Sequence, residues 1–301
     1  MSRNKSKNIN LKKVTLAVID CLIPIVVMIF SQVLSIIAPP KILSILAGVS
    51  SDNISDIKNF SYYYIVLQAL IYMIVFILLM KLFLKAYYKE NIFKQILKGR
   101  INIIWIMIPV VYISIIDFIY FIFVNGEFIF SKVDNESFFV TLIYLVLFTS
   151  LAAPIIEELI FRGVIAERVK EKYGKNIALI ISSILFALCH NMNARFNDST
   201  SIIMFISITL IGVLLFIIKD RFDSLYASII FHSIYNLLSE IVPIASKANY
   251  NKYWPVSYQV NSDNILLTGG EYGTTASIIT ICVTIIIIFL VIYLSKNKKY
   301  E

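Results

Sequence analysis

Residues 138–160 read FFVTLIYLVLFTSLAAPIIEELI, and this stretch decides the fold class. Its first 19 residues, 138–156, contain no charged side chain. A helix needs about 20 predominantly apolar residues to cross the hydrocarbon core of a bilayer. We therefore predict that the stretch is a transmembrane helix, and that this helix continues beyond the membrane to about residue 172.

Seven other segments are apolar and about long enough to cross a bilayer. They are residues 14–38, 61–84, 101–124, 176–192, 201–218, 224–245 and 275–294. The fifth and sixth of the eight segments, 176–192 and 201–218, are the shortest. Only 15% of the 301 residues are charged, against about 25% in soluble domains. The sequence thus predicts an all-α fold, a polytopic transmembrane helical bundle with about eight spans.

The lysines and arginines are distributed unequally between the two sides of these spans. With Arg162 set aside, 20 lie on the side that carries both termini and six lie on the other side. Because such residues concentrate in cytoplasmic loops, both termini are predicted to be cytoplasmic. The net charge of +8 follows from this topology, so we expect a lipid bilayer as partner and no nucleic acid. Frequent lysine, asparagine and isoleucine favour a bacterial plasma membrane as the location.

Five of the ionisable side chains in or next to the predicted spans are candidates for a site. Glu157, Glu158 and Arg162 lie on the fourth span, and the only two histidines of the chain, His190 and His232, lie on the fifth and seventh. Each ionised group costs about 2.5–3.5 kcal/mol at the centre of a membrane helix. These side chains are therefore expected to face protein or a water-filled cavity, and they are candidates for a functional site.

The spacing of these residues separates their roles. Glu158 and Arg162 are four residues apart, so they share a helix face and can pair. Glu157 points about 100° away from Glu158, which leaves its carboxylate free to act as a base. His232 and Asn236 also share one face. A rise of about 1.5 Å per residue puts Glu157 and both histidines at compatible depths, so we predict one shared cavity.

The same residues form three motifs, Glu157-Glu158-x-x-x-Arg162, Phe186-x-x-x-His190 and His232-x-x-x-Asn236. In this order they resemble the signature of the CPBP family, which contains the CAAX-type prenyl-protein endopeptidases and the bacterial Abi proteins of bacteriocin processing and immunity. The similarity covers residues 140–245, about a third of the chain. We therefore divide the chain into scaffold or gating helices at 1–137, a catalytic core at 138–245, and an extracytoplasmic loop with the last helix at 246–301.

The resemblance implies an intramembrane endopeptidase that cuts a membrane-associated peptide or protein, which we expect to happen near the cytoplasmic leaflet. Glu157 and His190 would hold and deprotonate a water. His232 and Asn236 would donate hydrogen bonds to the oxyanion, while Glu158 and Arg162 would orient the first helix. No cofactor is expected. Zinc stays the alternative, because Glu157, His190 and His232 could supply three ligands and leave a fourth position for water.

Two other functions stay open on the sequence. One is a non-catalytic membrane regulator or bacteriocin-immunity scaffold, which keeps the motifs and acts by binding a partner. The other is a transporter that uses the same residues as a proton relay. Transporters often contain inverted repeats, and we find none in this sequence.

Features outside the motifs also give predictions. The segment 246–274 is rich in aromatic residues, and we interpret it as an aromatic belt at the outer interface or as a lid that touches the substrate. Asp20 and Glu240 are expected at helix ends, in contact with water. Asp117 lies deeper in the third span, without an obvious partner, where it could line the cavity or pair with a lysine.

Overall fold

A computed structural model describes residues 11–50, 53–54, 59–88, 102–190, 199–246 and 254–296. These residues form eight helices of 15 residues or more. The helices are α1 (Leu11–Ala47), α2 (Phe60–Tyr88), α3 (Ile104–Phe123), α4 (Asn135–Tyr173), α5 (Lys175–His190), α6 (Ser199–Phe222), α7 (Leu225–Ser239) and α8 (Ile278–Lys296). A helical turn at Ile265–Thr268 and a 3-10 segment at Gly270–Ala276 precede α8.

Each of the eight predicted segments corresponds to one of these helices. Six helices are long and apolar enough to cross a membrane, namely α1, α2, α3, α4, α6 and the segment that ends in α8. The chain is therefore a polytopic helical membrane protein. The continuation of the fourth span is confirmed, since α4 ends at Tyr173.

Two of the predicted lengths are wrong. The sixth segment, predicted to be short, is the 24-residue helix α6, whereas α5 and α7 have only 16 and 15 residues. Helix α7 ends at Ser239 instead of residue 245, because the chain turns there and enters a strand after Pro243. Proline cannot donate the backbone hydrogen bond that a continuing helix would need.

Many of the basic residues that predicted the topology lie outside the described residues. This holds for the clusters in residues 1–10, 89–101 and 297–301, and for Arg195, Lys247, Lys252 and Lys58. Among the described basic residues, Lys172, Lys175 and Lys219 lie together at one end of the bundle.

Ion pairs join four helices at this end, which we call the basic end and define by Lys172, Lys175 and Lys219. Lys172 of α4 pairs with Asp20 of α1, and Lys219 of α6 pairs with Glu167 of α4. Lys175 Nζ of α5 lies 2.5 Å from Asp220 Oδ2 of α6. The expectation that Asp20 is in contact with water is wrong, because the residue is fully buried.

A three-stranded sheet lies at the opposite end, which we call the sheet end. Its strands are β1 (Gly126–Phe130), β2 (Ile244–Ser246) and β3 (Val256–Val260), in the order β1-β3-β2. Strand β1 runs antiparallel to β3, and β2 runs parallel to it. The prediction of an all-α chain is therefore wrong for this small part, whose short strands come from three separate loops and give no long alternating pattern.

The aromatic residues of the 246–274 segment do not form an interfacial belt where they are described. Trp254 is buried, and its Nε1 donates a hydrogen bond to the Ile241 carbonyl at 2.5 Å. Tyr258 is also buried, and its hydroxyl donates to the Val124 carbonyl at 2.8 Å. Both side chains fasten the sheet to the helices, so the belt interpretation is wrong for them. Tyr250 and Tyr253 lie outside the described residues.

Candidate active site

A cavity of about 440 Å³ opens among the helices. Its walls come from α1, α2, α4, α5, α6 and α7, and from the 3-10 segment that precedes α8. Four of the predicted site residues line it, namely Glu157, His190, His232 and Asn236. Glu158 and Arg162 are fully buried behind its wall.

The cavity brings one carboxylate and two imidazoles of three helices into close proximity. His190 Nε2 lies 3.7 Å from Glu157 Oε2, and His232 Nε2 lies 3.8 Å from the same oxygen. The Glu157 side chain keeps 17% of its surface exposed, so a small molecule in the cavity can reach it. We call these three side chains the Glu–His cluster.

Hydrogen bonds fix which ring nitrogen of each histidine faces the cluster. His190 Nδ1 lies 2.9 Å from the Phe186 carbonyl oxygen, one turn earlier on α5. His232 Nδ1 lies 3.1 Å from Glu158 Oε1. A carbonyl and an ionised carboxylate can only accept, so both Nδ1 atoms carry the proton. In the neutral rings each Nε2 therefore presents a lone pair toward Glu157.

Glu158 holds its position through a buried ion pair. Arg162 Nη1 donates to Glu158 Oε1 at 2.8 Å, which confirms the predicted pair. Arg162 Nη2 donates to the Gly212 carbonyl of α6 at 3.1 Å, and the guanidinium lies 4.3 Å from the centre of the Phe186 ring. Arg162 thus connects α4 with both α5 and α6.

The Glu158–His232 contact was missed by the sequence-based prediction. Spacing within one helix predicts the pair of Glu158 with Arg162, but residue 232 lies 74 positions away on another helix. The resulting chain Arg162–Glu158–His232 places a carboxylate against the second ring nitrogen of a site histidine. Such a partner fixes the tautomer and the orientation of an imidazole.

Gly212 allows α5 and α6 to approach closely beside this chain. A Cβ atom at residue 212 would lie 3.1 Å from both Cα and Cβ of Ser183 on α5. That separation is tighter than ordinary van der Waals contact. The absence of a side chain therefore keeps the Gly212 carbonyl within reach of Arg162.

Helix α4 contains two π-helical stretches, Tyr144–Ala152 and Leu159–Ile165, on either side of Ala153–Glu158. Rare π-helical turns occur frequently at functional sites. The Ala153 amide bonds to the Phe148 carbonyl five residues earlier. In this register the next carbonyl, that of Thr149, faces Pro154, which has no N–H to donate.

Asn236 supplies the missing donor. Its Nδ2 donates to the Thr149 carbonyl at 2.9 Å. The predicted role of Asn236 as an oxyanion donor is thus limited to the second hydrogen of its amide group. Pro154 is the sequence signal for this contact, because a proline within a helix leaves a carbonyl without its usual partner.

Among the described residues, no group of three or more His, Cys, Asp or Glu side chains is arranged to hold a metal ion. Glu157, His190 and His232 are the ligands that the zinc alternative requires. That alternative stays a prediction, and we derive no step through a metal.

The cavity extends from Glu157 toward the sheet end. On α4 most of its lining residues precede Glu157, as far as Tyr144, and on α7 its lining continues beyond His232 to Glu240. The segment before α8 contributes Tyr272 and Thr275 to the wall. Part of the 246–274 segment, represented by Tyr272, therefore contacts the cavity, and its role as a lid stays a prediction.

Two side chains singled out in the sequence behave differently. Asp117 is half-buried, does not line the cavity and has no hydrogen bond or ion pair among the residues that the structure describes. Glu240 is exposed, as predicted, and lines the cavity.

Comparison with known proteins gives one match. The sequence model of the family described as type II CAAX prenyl endopeptidase Rce1-like matches residues 139–238. No curated protein and no solved structure matches the chain. The matched segment contains α4 from its fifth residue, all of α5 and α6, and α7 almost to its end. It includes all three motifs, so this third of the chain is similar to a family of CAAX prenyl endopeptidases.

Proposed function

We propose that this protein is an intramembrane endopeptidase that hydrolyses a peptide bond of a membrane-associated peptide or protein. The observation that carries the proposal is the Glu–His cluster, in which Glu157 Oε2 lies 3.7 and 3.8 Å from the Nε2 atoms of two histidines inside the cavity. In this proposal residues 138–245 are the catalytic core. The remaining helices form the scaffold or gate substrate entry.

The first step of the proposed mechanism is activation of a water. A separation of 3.7 Å between Glu157 Oε2 and His190 Nε2 allows one water to donate a hydrogen bond to each. Glu157 takes a proton from this water while the water oxygen bonds to the scissile carbonyl carbon. When the carbon–nitrogen bond breaks, Glu157 returns the proton to the leaving amine.

The second element is stabilisation of the oxyanion. His232 Nε2 can donate a hydrogen bond only when the ring is an imidazolium, because Nδ1 already donates to Glu158. The carboxylates of Glu157 and Glu158 lie against the two ring nitrogens, at 3.8 and 3.1 Å. The free hydrogen of the Asn236 amide is the second proposed donor. One well-placed donor contributes about 3–4 kcal/mol to such a transition state.

We further propose that both termini are cytoplasmic and that the membrane is a bacterial plasma membrane. The basic end is then cytoplasmic, since lysines and arginines favour that side. The cavity, which extends toward the sheet end, would open toward the extracytoplasmic half of the bilayer. This replaces the expectation of cleavage near the cytoplasmic leaflet.

The experiment that tests the proposal compares wild-type protein with His190→Ala in lipid nanodiscs. The probes are a peptide library and a farnesylated CAAX peptide, with cleavage sites identified by mass spectrometry. We expect His190→Ala to lower the rate at least about 100-fold, the lower range for loss of an acid–base group. Cys189→Ala is the matched control, since it removes the neighbouring cavity thiol and should retain activity.

A different outcome would favour the non-catalytic scaffold. If wild-type protein cuts no probe, and cells with His190→Ala keep the full phenotype of wild-type cells, the site does not act as a peptidase. Cleavage at the wild-type rate by His190→Ala would also contradict the mechanism.

A metal-free mechanism makes a separate prediction. Purified protein treated with 1,10-phenanthroline and then freed of chelator should cut its substrate at the untreated rate. Metal analysis of the same sample should give no zinc in proportion to protein. Loss of cleavage that added zinc restores would show that Glu157, His190 and His232 act as ligands.

A further inference from the structure

The cavity contains a second carboxylate that the proposed hydrolysis does not use. Glu240 lines the same cavity as Glu157 and immediately follows the last residue of α7. Its carboxylate has no hydrogen bond or ion pair with any residue in the described part of the chain. Its backbone amide already donates to the Leu237 and Leu238 carbonyls. The side chain therefore is not needed to cap the end of α7.

The cavity is lined by two carboxylates, those of Glu157 and Glu240, and by no lysine or arginine among the described residues. A carboxylate that has no cationic partner attracts a cation. The ligand that supplies this cation must occupy the same cavity as the scissile bond.

The distance between the Glu–His cluster and Glu240 limits which residue of a substrate can bring a positive charge to Glu240. Residues 232 and 240 are eight positions apart, which corresponds to about 12 Å along α7. An extended peptide advances about 3.3 Å per residue. A peptide whose scissile carbonyl lies at the Glu–His cluster would therefore bring the third or fourth residue from that bond to Glu240.

Part of the cavity wall is apolar. Met204, Ile208 and Ile211 of α6 and Met28 of α1 contribute to it. Such a wall accommodates aliphatic side chains, whose burial is favourable. The cavity is thus suited to an apolar peptide segment that is followed by a positive charge.

We propose that Glu240 is a specificity-determining residue that binds a lysine or arginine three or four residues from the scissile bond of the substrate. This inference rests on the proposed peptidase function, because the position of the lysine or arginine is counted from the scissile bond. The binding step itself does not require cleavage, and the two can be tested separately.

Binding is measured first, with Glu157→Gln protein in nanodiscs, so that no probe is cut. The probes are leucine-rich peptides that carry a single lysine, glutamine or glutamate at a scanned position. We expect the lysine peptide to bind about tenfold more tightly than the glutamine peptide, a ratio equivalent to about 1.4 kcal/mol. Adding Glu240→Gln should remove the difference, and Glu240→Lys should shift the preference to the glutamate peptide.

Glu271→Gln is the matched control. Glu271 is exposed and belongs to the segment before α8, but it does not line the cavity. Its substitution should leave the tenfold ratio unchanged. Equal binding of the three peptides, or a lysine preference that survives Glu240→Gln, would overturn the proposal.

Cleavage is measured second, with Glu157 intact. Cut sites should have lysine or arginine enriched three or four residues from the bond, and the enrichment should disappear in Glu240→Gln. Cleavage that depends on Glu157 but has no such enrichment would refute the role of Glu240 alone. Selective lysine binding without any cleavage would support Glu240 as a binding residue and contradict the peptidase.

Discussion

Replacing Glu157 with glutamine is expected to reduce peptide cleavage by about 10²–10⁴-fold, the usual contribution of a general base. Glutamine has nearly the same size and can still form hydrogen bonds, but it cannot accept the proton of the attacking water. The side chain lies in the cavity wall and is partly exposed, so its replacement should leave the fold intact. Initial rates and cut sites, measured by mass spectrometry in nanodiscs, provide the test.

The control for this variant is Glu136→Gln. Glu136 lies in the first turn of the same helix, is exposed and does not line the cavity, so its variant should cut at the wild-type rate. Thermal unfolding of Glu157→Gln should match that of wild-type protein. If Glu157→Gln cuts as fast as Glu136→Gln, the carboxylate is not the base and the proposed mechanism fails.

Replacing Arg162 with methionine is expected to lower the free energy of unfolding by about 3–5 kcal/mol, the typical cost of removing one partner of a buried ion pair. Glu158 would keep its charge in a fully buried position, and the bond to the Gly212 carbonyl would also be lost. Methionine fills much of the same volume, so lost packing adds little. Chemical unfolding of detergent-solubilised protein measures the change.

Two comparisons make this prediction specific. Lys170→Met, two turns further along α4, removes a partly exposed partner of Glu167 and should cost at most about 1 kcal/mol. The double variant Glu158→Gln with Arg162→Met removes both charges and should unfold less easily than Arg162→Met alone. A double variant that is as unstable as the sum of its two single variants would show that the two charges are not coupled.

Hydropathy predicted the helices well because crossing a bilayer is a local requirement. A span must satisfy its own backbone hydrogen bonds and must be apolar over about 20 consecutive residues. Both properties can be counted along the chain, as residues 138–160 illustrate. The predicted boundaries were wrong where hydropathy along the chain gives no signal. These places are the end of α7 and the loops that form the three strands.

The sequence by itself identified the three ionisable side chains that form the Glu–His cluster. Ionisable residues are so costly in a membrane that Glu157, His190 and His232 stand out without any coordinates. The pairing of Glu158 with Arg162 was also accessible, because it follows from the period of a single helix.

Only the tertiary structure decided how these residues are connected. The bonds from Glu158 to His232, from Asn236 to Thr149 and from Arg162 to Gly212 each join different helices, 50 to 87 residues apart in sequence. The direction of the cavity toward the sheet end, and the presence of Glu240 in its wall, also depend on how the helices pack. Helical periodicity fixes the face on which a side chain lies, but the neighbour of that face is set by packing between distant segments.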